Sequence, residues 1–151
     1  MIDTAAVATA VTVAHLALAA VWLGSMIYSL TVVQPRVDRF FPDHVHREEF
    51  LLTLAQGNRR PVVALVAALL TTDLAVLVSR PEVRLGYCIA LVLYLLAGAV
   101  FVHVSWRHWP ARVFALPEEL PGFQRRLRQL AWTMLGLVGA AFLTTLSVST
   151  G

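Results

Sequence analysis

Four long runs of apolar residues, at about 5–33, 61–79, 85–106 and 129–150, alternate with segments that carry every arginine of the chain. A helix rises about 1.5 Å per residue, so about 20 residues cross hydrocarbon about 30 Å thick. Each run has that length. The pattern predicts an all-α integral membrane four-helix bundle with an up-down-up-down path, one domain over residues 1–151, and lipid as its main solvent.

The connecting segments set the expected orientation. Residues 34–60 hold Arg36, Arg39, Arg47, Arg59 and Arg60, and residues 107–128 hold Arg107, Arg112, Arg125, Arg126 and Arg128. The short link between the second and third runs holds only Arg80 and Arg84. Positive loops stay in the cytoplasm, which puts both long loops inside and the N and C termini outside. Tyr87 on the outer side, and Trp106, Trp109 and Trp132 on the inner side, fit interfacial aromatic belts.

Within the first loop, Asp43 can cap a short helix with Glu48 and Glu49 in its solvated first turns. Phe50, Leu51 and Leu54 form its apolar face, and Gly57-Asn58 ends it before Pro61 opens the second span. In the second loop Pro110, Pro117, Pro121 and Gly122 break the chain, and an Arg-rich ramp from Phe123 leads into the fourth span. Residues 35–42 and 110–117 match locally, which could mark a duplicated hairpin, though the common use of Pro, Arg and Phe at inner membrane boundaries explains it better. Ala20 with Gly24, and Gly136 with Ala140, are small residues four apart that allow close helix approach.

Composition narrows the function classes. At 58% hydrophobic over 151 residues, the four spans leave no room for a soluble catalytic domain. The net charge of +3 comes from 12 arginines against 9 acids, with no lysine. Because these charges flank apolar runs, they point to orientation and anionic headgroups, not to nucleic acid. Cys88 is the only cysteine, so neither an intrachain disulfide nor a Cys-based zinc or iron–sulfur site can form within one chain. The N-terminus lacks a positive n-region, and the first run exceeds a signal h-region, so it reads as a retained helix.

Candidate chemistry lies where ionisable side chains fall inside apolar runs. Such groups cost at least about 2.5 kcal/mol on insertion and turn toward the protein interior. His15 and Asp73 are the two cases, and residue counting puts both about a third of the way in from the outer side. Thr144 and Thr145 fall near that depth, and Tyr94 slightly deeper. The expectation is a polar cluster centred on His15 and Asp73, in which the carboxylate fixes the imidazole tautomer and leaves the other nitrogen for a ligand, metal or proton. His15, Trp22 and Ser29 recur every seven residues with Ala19 and Met26 on the same face, which suits either a flat cofactor or a packing stripe. His103 is too near the inner face to share an axial metal with His15. Asp43-His44-Val45-His46 has the residue types of a small metal cluster but also suits a solvated helix start. No P-loop, HExxH, nucleophile elbow or dinucleotide fingerprint is present.

The first span reads His15 through Trp22 to Gly24, an H-x6-W-x-G pattern, with Tyr28 and then Pro35-Arg36 following. In a four-span chain this resembles the copper-resistance protein D (CopD)-like superfamily, which broadly includes HemJ-type protoporphyrinogen oxidases. The resemblance implies a bacterial inner (plasma) membrane protein in which His15 binds haem b or a transition metal, copper in the CopD branch. Asp73 would then orient or charge-balance the site, and Trp22 and Tyr94 would shape the pocket. The chain departs from the HemJ pattern in separating Tyr28 from Pro35-Arg36 and in lacking lysine. Two further readings stand beside haem or metal binding: a non-enzymatic copper-handling protein, and a structural or accessory subunit whose polar residues meet a membrane partner or a second copy.

Overall fold

The computed structural model describes residues 4–114, 116 and 118–150, apart from the side chains of residues 44, 45 and 113. Six α-helices follow in order: α1 (Thr4–Tyr28), α2 (Gln34–Phe40), α3 (His44–Ser79), α4 (Arg84–His103), α5 (Trp109–Val113) and α6 (Leu120–Thr150). π-Helical turns, Ser29–Val33 and Val104–His108, join α1 to α2 and α4 to α5. No strand occurs among the described residues. Four continuous rods result, each long and apolar enough to cross a membrane.

α1 packs on α3 and α6, and α4 packs on α3 and α6, which closes a ring of four helices. The all-α four-helix membrane bundle therefore stands as the sequence predicts. Its centre is Ala19, Trp22, Leu69, Ala90, Tyr94, Ala97, Val138 and Ala141. The outer surface is apolar, with Val13, Val21, Leu74, Val78, Ile89, Leu96 and Leu143 all exposed. That inversion is what a lipid solvent permits, because apolar side chains lose nothing by facing hydrocarbon. Threonine hydroxyls turn back onto carbonyls one turn earlier, as Thr71 does to Ala67, Thr144 to Ala140 and Thr145 to Ala141. They are thus satisfied within their own helix.

The first loop differs from expectation. α3 runs unbroken from His44 through Gly57, Asn58 and Pro61 to Ser79. A glycine ends a helix by taking the left-handed conformation, and no described glycine has positive φ. The predicted surface helix and second span are therefore one rod. Glu48 is also not a solvated first-turn acid. It accepts from Arg112 of α5 (2.5 Å) and from Gln124 of α6 (3.1 Å), tying three helices at the Arg-rich end.

Both π turns end two residues before a proline, Pro35 or Pro110, so the matched Pro-Arg segments share a backbone device. In the second turn the Trp109 N–H reaches the carbonyl of Val104, five residues back. Continuing that register, the Ser105 carbonyl would need a donor from Pro110, which has none. Arg59 of α3 supplies it through Nη2 at 2.5 Å, while its guanidinium lies 4.8 Å from the centre of the Trp106 ring.

The close helix approach is not where the small-residue pairs place it. Gly24 and Gly136 have open space beside them, whereas a Cβ at Gly86 would stand 2.6 Å from Cγ1 of Val148. Gly86 is what lets α4 and α6 meet at the end away from the Arg-rich loops.

Candidate functional site

The bundle brings His15 and Asp73 together. Nε2 of His15 lies 3.5 Å from Oδ1 of Asp73, and neither side chain has any exposed surface. The sequence places them at equal depth on helices 1 and 3, and α1 and α3 are direct neighbours. Tyr94 of α4 packs edge-on to the imidazole with ring centres 5.7 Å apart, and Trp22 stacks on Tyr94 at 6.4 Å. All four candidate residues, His15, Trp22, Asp73 and Tyr94, thus share one buried cluster. Thr145 is also buried and lies beside Tyr94, whereas Thr144 is only half-buried. The α1 face of Thr12, His15, Ala19, Trp22 and Met26 is buried as a stripe, with Trp22 in the core and not at the headgroups.

Tyr87 departs from its expected role as an interfacial anchor. It is fully buried, its ring centre is 5.5 Å from that of His15, and its hydroxyl pairs with Ser149 at 2.9 Å. Its place near the N-terminal end of α4 suits a belt in sequence, but Gly86 lets that end close against α6, which covers the ring. Thr72 is the other member that sequence reasoning missed. Its signal was adjacency to Asp73.

Hydrogen-bond logic fixes the imidazole. Thr72 Oγ1 lies 3.1 Å from His15 Nδ1, and 3.0 and 2.9 Å from the carbonyls of Ala68 and Leu69. Carbonyls only accept, and with the single hydroxyl proton on one of them Thr72 accepts from Nδ1–H. The Leu69 carbonyl also lies against the imidazole and reinforces that tautomer. Nε2 is left with a lone pair aimed at a carboxylate oxygen. Nε2, both oxygens of Asp73 and the Tyr94 hydroxyl have no hydrogen-bond partner among the described residues. Two facing acceptors repel in a medium that screens poorly, unless a positive centre sits between them.

The arrangement discriminates between ligands. A porphyrin iron on Nε2 would stand about 2 Å from that nitrogen, in the space Asp73 faces at 3.5 Å, with the Tyr87 and Tyr94 rings against the imidazole. Haem b does not fit this packing. A bare ion does, since metal–N and metal–O bonds of about 2.0–2.2 Å at a tetrahedral angle span roughly 3.3–3.6 Å. Among the described residues no group of three or more His, Cys, Asp or Glu could hold a metal, so a third ligand would have to come from outside those residue types. Cys88 is exposed, away from the cluster.

The weaker candidates do not join this site. Asp43 and His46 pair with each other on an exposed helix start, and the side chain of His44 lies outside the described residues. His108 is buried at the Arg-rich end beside Phe123.

No family model matches the chain, and neither a curated protein nor a solved structure is significantly similar to it.

Proposed function

We propose that this small multi-pass membrane protein, which we place in the bacterial plasma membrane, works through one cation held between His15 and Asp73. The observation that supports this is the pair of buried acceptors, Nε2 and Oδ1, facing each other at 3.5 Å. The cation we favour is a divalent transition metal. Imidazole and oxygen donors suit Cu(II) or Zn(II), whereas Cu(I) prefers the thiolate and thioether groups this cluster lacks. The CopD-like pattern of helix 1 favours copper among these. The role that follows is metal handling within the bilayer, with no reaction required of the chain. A proton bound between the two groups is the second reading, favoured by the shortage of ionisable ligands. Equilibrium dialysis of purified protein with Cu(II) and Zn(II) tests the choice. One equivalent bound, and lost in His15→Ala and Asp73→Asn, supports the metal. Failure of both metals to bind folded wild-type protein refutes it and leaves the proton.

A further inference from the structure

A second buried charge, far from His15, is also incompletely partnered. Arg112 of α5 is 4% exposed. Its Nη2 donates to Glu48, and its guanidinium carbon lies 5.1 Å from the centre of the Trp109 ring. Its Nε and Nη1 have no partner among the described residues. A buried guanidinium with idle donors is costly, because those N–H groups have given up water without replacement.

The same side chain lines a cavity of about 420 Å³ at the Arg-rich end of the bundle, between the first π turn, α3, α5 and α6. Arg125, Arg128 and Gln124 of α6 share the wall, and Asp38 is the acid on it. Asp38 faces Arg47 at 3.4 Å, so its charge is already offset. The local balance is four guanidiniums (Arg47, Arg112, Arg125, Arg128) against two carboxylates (Asp38, Glu48). Surplus positive charge, planar donors and a half-open cleft of ligand size together define an anion site. Guanidinium donors match the oxygens of phosphate better than a point charge does. Leu51, Leu54 and Leu127 add an apolar strip beside the polar Ser29, Gln34 and Asn58, a surface that an acyl chain can cover.

We infer that this cavity binds a phosphate group, presented by an anionic lipid headgroup or by a free phosphate anion, with Arg112 as the buried anchor and Arg125 and Arg128 as the rim. This site is independent of the His15–Asp73 pair and stands or falls separately.

Native mass spectrometry of the purified full chain, released from neutral detergent, tests it with phosphatidylglycerol and phosphatidylcholine as probes. Wild-type protein should retain one phosphatidylglycerol with a preference of about tenfold or more over phosphatidylcholine, the factor that about 1.4 kcal/mol provides. Arg112→Gln should lose that preference. Should Arg112→Gln fail to fold, the exposed-rim variant Arg125→Gln/Arg128→Gln gives the same reading without disturbing the core. The charge-matched variant Arg80→Gln/Arg84→Gln, at the opposite end, should keep it. Millimolar inorganic phosphate separates the sources. Displacement of the lipid by phosphate assigns the site to the free anion, and persistence assigns it to the headgroup. Equal retention of the two lipids by wild-type protein, or equal loss of preference in the rim and control variants, overturns the site.

Discussion

Asp73→Asn separates a cation site from a structural acid. In wild-type protein stripped by chelator at mildly alkaline pH, Nε2 and Oδ1 either face each other as acceptors or draw a proton from water. Both options cost free energy. The Asn amide removes the conflict, because its Nδ2 can donate to Nε2 across the 3.5 Å gap after a small rotation. An unsatisfied buried polar group costs about 1–3 kcal/mol. One of the four orphaned atoms is satisfied and the carboxylate charge is removed, so Asp73→Asn should be more stable than wild type by about 1–2 kcal/mol. At about 2–4 °C per kcal/mol for a chain of this size, the thermal midpoint should rise by roughly 2–8 °C. Metal should reverse the order. Wild type at 100 times its Kd gains about 2.7 kcal/mol, whereas the amide variant gains little. The assay is thermal unfolding in detergent, with chelator and then with Cu(II) or Zn(II). A lower midpoint for the variant in chelator, or an undiminished metal response, would refute the reasoning, because Asp73 would then be a packing group or not a ligand.

Other perturbations follow from the packing. Gly86→Ala should cost about 1–3 kcal/mol through overpacking against Val148, and Val148→Ala in the same chain should recover part of it, as a thermal double-mutant cycle would read. Glu48→Ala leaves Arg112 without its carboxylate and should cost about 3–5 kcal/mol, whereas the double variant Glu48→Gln/Arg112→Gln should cost less, measured in the same way. Trp22→Ala opens a void against Tyr94 and should cost about 3–5 kcal/mol, while Val78→Ala, on the lipid-facing surface, should leave the midpoint within about 0.5 kcal/mol. For orientation, in a Cys88→Ser background, an impermeant maleimide added to intact cells should label Glu82→Cys and spare Glu119→Cys; the opposite pattern inverts the assigned topology.

The membrane bundle and the central pair were legible because both follow from one-dimensional rules. Apolar run length gives the spans, and equal depth on neighbouring spans brings His15 to Asp73. What was not legible depends on helix rotation and on the third dimension. Tyr87 reads as an anchor by position, and only the contact of Gly86 with α6 turns it inward. Gly57 and Pro61 read as a stop and a start, yet Gly57 has no positive φ and the rod continues through both. Ala20 with Gly24 has the right spacing for close packing, but that face of α1 looks outward. Pro35 and Pro110 signal an irregularity without saying that it takes the form of a widened turn. Thr72 carries no signal beyond its adjacency to Asp73, although its hydroxyl decides which imidazole nitrogen is open.

The bond from Arg59 to the Ser105 carbonyl crosses from one span to another to finish a backbone that proline left incomplete. Such a bond works as a latch on vertical position. If α3 slid past α4 by a single residue, a rise of about 1.5 Å, the guanidinium would miss its carbonyl and the Trp106 ring together. Sliding motions between these two spans are therefore held at the Arg-rich end, and any movement that serves the His15–Asp73 pair is left to tilting about that fixed point.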